Sequence, residues 1–363
     1  MRVVTFGEVM IRLAPPGWLR LSQVLPGRLD ATFGGAEVNV AVSIAVQGGR
    51  SAFCTVLPDN PLTDAFLQEL RRYGVDADLV RRTREGRFGM YFVETGANQR
   101  GSTVTYDRAG SAVALAPPES YDWSAILRDA SRLHVTGITP ALSPQAAQAA
   151  LMGVEAAARA AIPVSCDLNF RKKLWNWEPG TPPAALARRV MEPLLQHVSL
   201  VIANEEDAEQ VLGIRAPNTD VSRGKLDPAG YVEVARQVAA RFPRVQHVAI
   251  TLRESLSASH NNWGALLYAR DGEHVWFAPT DAEGRYHPYE IRNIVDRVGA
   301  GDAFGGALLF ALDQPELSAP PTALAYAVAA SSLKHSIVGD FNCSTRAEIE
   351  GLLRGGGAGR VQR

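Results

Sequence analysis

The chain alternates short apolar runs with longer segments in which apolar residues recur every three or four positions. The short runs predict buried strands, and the longer period predicts helices with one apolar face. After a first strand at the N-terminus, the predicted strands are Ala52–Leu57, Leu133–Gly137, Pro163–Asn169, Ser199–Ala203, His247–Leu252, Ala265–Tyr268 and Val275–Ala278. The predicted helices are Ala36–Gln47, Leu62–Tyr73, Pro144–Ala160, Pro183–His197, Tyr231–Phe242, Ala300–Leu312, Thr322–Ser336 and Arg346–Leu353. This alternation predicts an α/β fold, a three-layer α/β/α sandwich with a mostly parallel central sheet.

Two segments interrupt the alternation and carry short strands. Residues 11–33 contain several proline and glycine breakers, and residues 86–108 contain two β-rich runs joined by a hairpin-like loop. We expect both segments to leave the main sheet and to form a small β-strand lid over it. Residues 1–354 would then form a single domain, and the glycine-rich C-terminal tail, residues 355–363, is expected to be disordered.

The most informative stretch lies near the C-terminus, where a strand end is followed by a glycine turn and a helix. Gly299, Ala300 and Gly301 open that helix, and Asp302 lies in its first turn. Amide groups at a helix start have no intrahelical partner and bind anions, most often phosphate. Asp302 has two interpretations: it complements the helix dipole, or it acts as a general base beside a bound phosphoryl group.

Two common glycine motifs are excluded at this turn. The dinucleotide-binding fingerprint needs glycine at its sixth position, which Phe304 occupies here. The P-loop needs Gly-Lys-Ser/Thr, and that tripeptide occurs nowhere in the chain. The turn is therefore an anion hole of a third kind.

Other polar clusters follow the ends of predicted strands. They are Gly34 with Gly35, Asn169 with Arg171, and residues 204–207. Because ligands bind beyond the C-terminal ends of parallel strands, we expect these clusters and the glycine turn to face one cleft.

The lid and the first long helix add candidate substrate contacts. Val104, Tyr106 and Arg108 share one face if their strand continues, and an aromatic ring beside an arginine suits a planar carboxylate. The same pattern also fits a solvent-exposed face of a strand pair. Asn39 interrupts an apolar helix, either as an exposed or capping residue or as a hydrogen-bond donor to a polyol.

Composition narrows the class of partner. The 363 residues include 37 basic and 38 acidic side chains, which gives a net charge of −1, and no basic block occurs. This balance argues against nucleic acid or an acidic membrane surface as the main partner. The three cysteines are scattered, which fits a reducing, cytoplasmic location, and no signal peptide or membrane span is visible.

These motifs resemble those of the ribokinase-like (PfkB) carbohydrate kinases. Residues 298–304 (VGAGDAF) match the C-terminal signature of that family, and residues 33–41 (FGGAEVNVA) match the N-terminal one. The resemblance extends over nearly the whole chain. Residues 106–112 (YDRAGSA), 137–143 (GITPALS) and 167–171 (DLNFR) are most similar to the members that phosphorylate 2-dehydro-3-deoxygluconate.

The resemblance implies roles on the sugar side of the cleft. Asp302 would take the proton from the primary hydroxyl of a sugar acid, while Gly299, Ala300 and Gly301 supply amides to the transferring phosphoryl group. The residues implied to hold the substrate are Gly34, Gly35, Asn39, Tyr91, Tyr106, Arg108 and Arg171. The implied reaction is ATP-dependent phosphorylation of 2-dehydro-3-deoxy-D-gluconate to its 6-phosphate.

The resemblance also implies ATP and Mg²⁺ as cofactors. The residues implied to contact the nucleotide are Asn169, Asn204, Thr251, Arg253, Gly299, Gly301 and Lys334. Asn204 and Asp207 resemble a metal-placing Asn-x-x-Glu motif, in which the shorter Asp207 would reach the metal through water. The chain also departs from the family at residues 253–263, where most members have a short glycine-containing loop. Whether a monovalent cation binds near Asp296 is left open.

Competing functions remain at this stage. A sibling kinase acting on fructose, ribose or a nucleoside is the nearest alternative, and a non-catalytic sugar-binding regulator on the same fold is an alternative of another class. Lid strands with exposed edges often pair between subunits, so a homo-oligomer formed through the lid is expected.

Overall fold

A computed structural model describes residues 2–204, 206–216 and 227–355. In chain order its strands are β1 (Arg2–Phe6), β2 (Met10–Ala14), β3 (Asp30–Gly34), β4 (Arg50–Pro58), β5 (Val80–Thr83), β6 (Gly89–Glu94), β7 (Thr103–Asp107), β8 (Arg132–Thr136), β9 (Val164–Asp167), β10 (Leu200–Ala203), β11 (His247–Ser257), β12 (His260–Ala269), β13 (His274–Ala278) and β14 (Tyr289–Ile291). Its α-helices are α1 (Leu21–Val24), α2 (Ala36–Val46), α3 (Pro61–Arg72), α4 (Ala112–Leu115), α5 (Trp123–Ile126), α6 (Pro144–Arg159), α7 (Pro183–Leu195), α8 (Pro228–Arg241), α9 (Ala300–Asp313), α10 (Pro320–Lys334) and α11 (Arg346–Leu353).

The central sheet is mostly parallel, as predicted. Its strand order is β13-β12-β11-β10-β9-β8-β1-β4-β5, and β14 pairs with β12. The strands from β11 through β5 run parallel to one another, whereas β12 is antiparallel to β11, β13 and β14. Parallel strands place their C-terminal ends at one edge, which is where the cleft forms.

Helices cover both faces of this sheet and complete the three-layer fold. Side chains alternate between the two faces along each strand. In β10, Val201 and Ala203 belong to the core beneath α6, α7 and α8. Leu200 and Ile202 belong to the opposite core, beneath α2, α9 and α10. Apolar side chains on both faces explain why this strand reads as a continuous apolar run.

A second, four-stranded sheet lies over the C-terminal edge and is called the lid below. Its order is β3-β2-β6-β7, so it combines strands from both segments that interrupt the strand–helix alternation. Tyr91 of β6 lies opposite Tyr106 of β7 in the antiparallel pair. The first of these segments also contains the single turn of α1, between its proline and glycine breakers.

The largest departure from the predicted elements is the hairpin formed by β11 and β12. The sequence predicts a loop after Leu252, but β11 continues to Ser257 and β12 begins at His260, with Arg253 paired opposite Trp263. The apolar run ends near Leu252 because the outer half of the hairpin extends beyond the core. The backbone hydrogen bonds between β11 and β12 nevertheless continue to the hairpin tip, and an apolar pattern does not reveal them. The hairpin tip contacts the lid, where the Ala258 amide donates to the Asn98 carbonyl oxygen at 2.7 Å.

Two further expectations concern the polar and glycine-rich segments. The predicted disordered tail, residues 355–363, lies outside the described residues except for Gly355, and so do residues 217–226 of the polar segment before α8. None of the helices in the described part of the chain has the length and apolar character needed to cross a membrane.

Candidate active site

A cleft of about 440 Å³ opens at the C-terminal edge of the central sheet, beneath the lid. The ends of β9, β10 and β11, the starts of α2 and α9, and lid strands β2, β6 and β7 form its walls. The predicted residues that line it are Gly35, Asn39, Tyr91, Tyr106, Arg108, Asn169, Arg171, Asn204, Asp207, Thr251, Arg253, Gly299, Ala300, Gly301 and Asp302. Gly34 and Lys334 are not among the lining residues.

The glycine turn is shaped by close backbone packing. Gly299 has a φ of +85°, in the left-handed region that favours glycine. A Cβ at this position would lie 2.0 Å from the Asp340 carbonyl oxygen, so no larger residue fits there without movement. Gly301 is exposed, with nothing within 4 Å of its Cβ position. The first-turn amides of α9 therefore open toward the cleft and suit an anion.

Asp302 lies in the same turn and is held by Asn39 from α2. The Asn39 side-chain amide donates to Asp302 Oδ2 at 2.6 Å, while Asn39 Oδ1 accepts from the Gly35 amide at 3.2 Å. Burial raises the pKa of Asp302 to about 6, and the Asn39 hydrogen bond opposes that rise because it favours the ionised form. Asp302 is thus ionised near neutral pH and able to accept a proton.

We expect kcat/KM to fall on the acid side with an apparent pKa of about 6, because protonated Asp302 cannot act as a base. Asn39→Ala removes the hydrogen bond that favours the carboxylate, so the pKa of Asp302 rises and the acid limb moves to higher pH. The measurement is a pH–rate profile of both proteins. Asn60→Ala, which removes the N-cap side chain of α3 away from the cleft, serves as the control. An acid limb that stays in place in Asn39→Ala would contradict this assignment.

The lid contributes an aromatic pair and an arginine. The rings of Tyr91 and Tyr106 lie 5.9 Å apart, and the Arg108 guanidinium carbon lies 5.4 Å from the centre of the Tyr106 ring. Val104, Tyr106 and Arg108 all line the cleft, although β7 ends at Asp107 and Tyr106 remains 37% exposed. Arg108 is largely buried and forms an ion pair with Glu8, which follows β1.

Acidic residues gather where β9 and β10 end. Asp207 is buried, and its two oxygens accept from the amides of Phe170 and Asn204 at 2.9 and 3.0 Å. Asn204 Oδ1 in turn accepts from the Glu206 and Asp207 amides. Burial and the neighbouring Asp207 raise the pKa of Asp167 well above its ordinary value. Asp207 thus links the loop after β9 to the loop after β10, a structural role that the Asn-x-x-Glu-like motif does not indicate.

Most of the residues predicted to contact the nucleotide line the cleft, but Lys334 does not. Asn169 has a φ of +37°, and its Oδ1 is buried without a hydrogen-bond partner among the described residues. Thr251 and Arg253 line the same end of the cleft from β11. Lys334 is fully buried and its ammonium group donates to the Ile337 carbonyl oxygen at 3.0 Å. The side chain of Lys334 is thus engaged in the loop after α10 and does not line the cleft, and its contact with the nucleotide stays a prediction.

Trp263 and Arg297 brace the two sides of the glycine turn. The indole of Trp263 is 4% exposed, donates to Ser331 Oγ at 2.6 Å and packs edge-on against His335. Arg297, just before the glycine turn, donates to the carbonyl oxygens of Ser257 and Ala258 at 3.1 and 2.7 Å. Arg297 therefore joins the hairpin tip to the turn.

Three contacts at or behind the cleft wall escaped the sequence analysis. Glu8 pairs with Arg108, Asp340 lines the cleft beside the glycine turn, and Arg12 bonds both Asp296 and Asp340. The sequence alone leaves open whether a monovalent cation binds near Asp296. In the structure, Asp296 is already paired with the guanidinium group of Arg12. Only Arg12 could have been found from the sequence, because it is a charged residue between apolar residues of a predicted lid strand.

An anion hole beside a proton acceptor suits the transfer of a phosphoryl group to a hydroxyl. Together the fold and the cleft define a small-molecule kinase. A model of the pfkB family of carbohydrate kinases matches residues 1–346, and the chain belongs to this family. It is therefore a carbohydrate kinase that phosphorylates a sugar with ATP, as predicted.

Individual relatives extend over almost the whole chain. A 2-dehydro-3-deoxygalactonokinase of Haloferax volcanii is 35% identical and covers 98% of both chains. A 2-dehydro-3-deoxygluconokinase of Thermoproteus tenax is 27% identical over 96% of this chain and 95% of the relative. The crystal structure of a 2-dehydro-3-deoxygluconokinase from Thermotoga maritima has a TM-score of 0.86 and 40% identity, with coverage of 98% of this chain and 99% of that one.

Proposed function

We propose that this kinase transfers the γ-phosphoryl group of ATP to the primary hydroxyl of 2-dehydro-3-deoxy-D-gluconate and yields the 6-phosphate. The observation that carries the proposal is one cleft in which Asp302 and the glycine turn share space with Arg108 and Arg171. The first pair suits phosphoryl transfer, and the two arginines suit an acid substrate. The names of the relatives support the same substrate class.

The reaction follows from the placement of these groups. Asp302 accepts the proton of the C6 hydroxyl as its oxygen forms a bond to the γ-phosphorus and the bond from that phosphorus to ADP breaks. The amides of Gly299, Ala300 and Gly301 stabilise the charge on the phosphoryl oxygens without reorientation. Asn39 keeps the carboxylate of Asp302 aligned through its 2.6 Å hydrogen bond.

The acidic residues at the ends of β9 and β10 suit a Mg²⁺ ion that is bound through water molecules. Among the described residues, no group of three or more His, Cys, Asp or Glu side chains is placed to hold a metal ion. The buried, unpartnered Asn169 Oδ1 and the carboxylates of Asp167 and Asp207 line the same end of the cleft and are suitable acceptors for metal-bound water. When bound, Mg²⁺ neutralises part of the triphosphate charge. Asn204 and Asp207 would contribute from this edge.

The two arginines differ in how far they are already engaged. Arg108 is buried and paired with Glu8, which fixes its orientation and offsets part of its charge. Arg171 is exposed in the cleft, and the one hydrogen bond recorded for it within the described chain goes to the Phe170 carbonyl oxygen at 3.3 Å. We therefore assign Arg171 as the main charge partner of the substrate carboxylate and Arg108 as an oriented second donor.

Arg171→Ala and Arg108→Ala are expected to lower kcat/KM for the sugar acid by about 10- to 150-fold, the value of one to two charge-assisted hydrogen bonds. The loss for a neutral sugar such as fructose is expected to be much smaller, since it has no carboxylate. Steady-state kinetics on both substrates provide the measurement. Lys172→Ala, an adjacent exposed charge that does not line the cleft, is the matched control. Equal losses on both substrates would rule out carboxylate recognition.

A substrate screen tests the proposed function as a whole. ADP release is measured with 2-dehydro-3-deoxygluconate, its galactonate epimer, fructose, ribose and a nucleoside, and the phosphorylated carbon of the product is located by NMR. The gluconate is expected to give the highest kcat/KM. A preference for a neutral sugar or a nucleoside would contradict the proposed substrate and would indicate a related kinase that acts on fructose, ribose or a nucleoside.

The lid is also proposed as the site of homo-oligomer formation. Trp18, Leu19 and Leu25, between β2 and β3, are large apolar side chains with 63%, 42% and 50% of their surface exposed. Strands β3 and β7 form the two edges of the lid sheet and are available for pairing. Light scattering of the full chain tests this, and a Trp18→Asp variant is expected to dissociate the oligomer.

A further inference from the structure

Arg12 of lid strand β2 is one of the most deeply buried charges in the described chain, with 3% of its side chain exposed. One guanidinium nitrogen lies 2.5 Å from Asp296 Oδ2, and the other lies 2.8 Å from Asp340 Oδ1. Both carboxylates are 5% exposed. The lid thus inserts a bidentate cation between two buried acids that lie far from it in the sequence.

These two acids belong to the two loops that form the glycine turn. Asp296 precedes the turn, and its Oδ1 accepts from the Val298 amide at 3.1 Å while its Oδ2 accepts from the Gly339 amide at 3.1 Å. Asp340 follows Gly339 and packs its carbonyl oxygen against Gly299, 2.0 Å from the Cβ position. The position of the first-turn amides of α9 therefore depends on where Asp296 and Asp340 are held.

Two carboxylates buried together repel each other unless a cation lies between them. Lys334 also faces this pair, but its ammonium group donates to the Ile337 carbonyl oxygen. Arginine is permanently charged and its planar fork matches two acceptors at once. Arg12 thus supplies both the compensating charge and the geometry.

We propose that Arg12 is a positioning residue for phosphoryl transfer, which holds both loops of the glycine turn and serves as an internal cation there. This inference rests on the proposed role of Gly299–Gly301 as the anion hole. Because the guanidinium occupies the space between Asp296 and Asp340, the enzyme needs no added monovalent cation at this place. Because Arg12 comes from the lid, the order of the anion hole also depends on the lid.

The test compares the wild-type enzyme with Arg12→Ala and Arg12→Lys in tetramethylammonium buffer, with and without K⁺ or Na⁺. The wild type is expected to have the same kcat in all media. Arg12→Ala is expected to lose about a hundredfold in kcat, the cost of a small misplacement of catalytic groups, with little change in the KM of the sugar. Arg12→Lys keeps the positive charge but loses the planar guanidinium that bonds both acids, so its kcat is expected to lie between those of the wild type and Arg12→Ala.

Chemical rescue separates positioning from simple stability. Guanidinium chloride, at concentrations too low to denature the protein, is expected to restore part of the kcat of Arg12→Ala and to leave the wild type unchanged. Arg2→Ala, which breaks the partly buried Arg2–Asp76 pair far from the cleft, is the matched control and should show neither a kcat loss nor rescue. Circular dichroism verifies that each variant is folded.

Three results would overturn this inference: a wild type that requires K⁺ or Na⁺, an Arg12→Ala variant with unchanged kcat, or a folded Arg12→Ala variant that guanidinium does not reactivate. The proposed function is judged separately from wild-type turnover. A wild type that prefers a neutral sugar removes the proposed substrate and leaves the test of Arg12 intact.

Discussion

Replacing Asp302 with asparagine is expected to lower kcat by about two to four orders of magnitude while ATP binding stays nearly unchanged. The amide has the shape of the carboxylate and still accepts the hydrogen bond that Asn39 donates at 2.6 Å, but it cannot take a proton. The loss should therefore fall on kcat and not on the affinity for nucleotide. Steady-state kinetics give kcat, and calorimetric titration with a non-hydrolysable ATP analogue gives the affinity.

The alternative is that Asp302 only complements the dipole of α9. Asp64 provides the matched control, because it lies in the first turn of α3, is exposed and pairs with Arg82 away from the cleft. Asp64→Asn is expected to cost about 0.3–1 kcal/mol of stability and no activity. If Asp302→Asn behaves like Asp64→Asn, with near-normal turnover, the base lies elsewhere.

The fold and the centre of the cleft follow from local signals in the sequence. Strand β10 was predicted within one residue of its observed bounds because it is buried on both faces. The glycine turn was predicted because Gly299, Ala300 and Gly301 are consecutive, so a short motif contains every residue proposed for the anion hole. Tyr106 and Arg108 were predicted to share a face because alternation along a strand depends on neighbouring residues alone.

The contacts that the sequence did not predict join distant parts of the chain. Arg12 bonds Asp296 and Asp340 across 284 and 328 positions, and no periodic pattern records such a pairing. Glu8 follows the end of β1 like many polar residues, and only the folded lid brings Arg108 to it. These pairs depend on how the lid docks on the central sheet, a relation that local propensity does not encode.

Lys334 is a residue whose implied contact with the nucleotide stays a prediction. The resemblance to the family placed it at the nucleotide, but α10 buries its side chain completely, and the ammonium group satisfies the Ile337 carbonyl oxygen. A lysine at the end of an alanine-rich helix is expected to reach solvent or ligand, because long charged side chains are seldom fully buried. Burial lowers the pKa of Lys334, and the nearby Asp296 and Asp340 oppose that fall because they favour the charged ammonium group.

Gly299→Ala is expected to lower kcat by about 10²–10³-fold, the cost of losing one donor of an anion hole. An alanine Cβ would lie 2.0 Å from the Asp340 carbonyl oxygen, and φ of +85° is unfavourable for any residue with a side chain. The turn must therefore shift, and its amides move with it. The measurement is kcat with the sugar acid, together with thermal unfolding to separate activity from stability.

Gly48 allows the two effects at Gly299 to be distinguished. It has a φ of +93° after α2, with nothing within 4 Å of its Cβ position and no contact with the cleft. Gly48→Ala thus carries the left-handed backbone cost of about 1–2 kcal/mol without a steric clash. Its stability should fall while its kcat stays at the wild-type value. If Gly299→Ala likewise loses stability but keeps its kcat, the phosphoryl group is held by amides other than those of this turn.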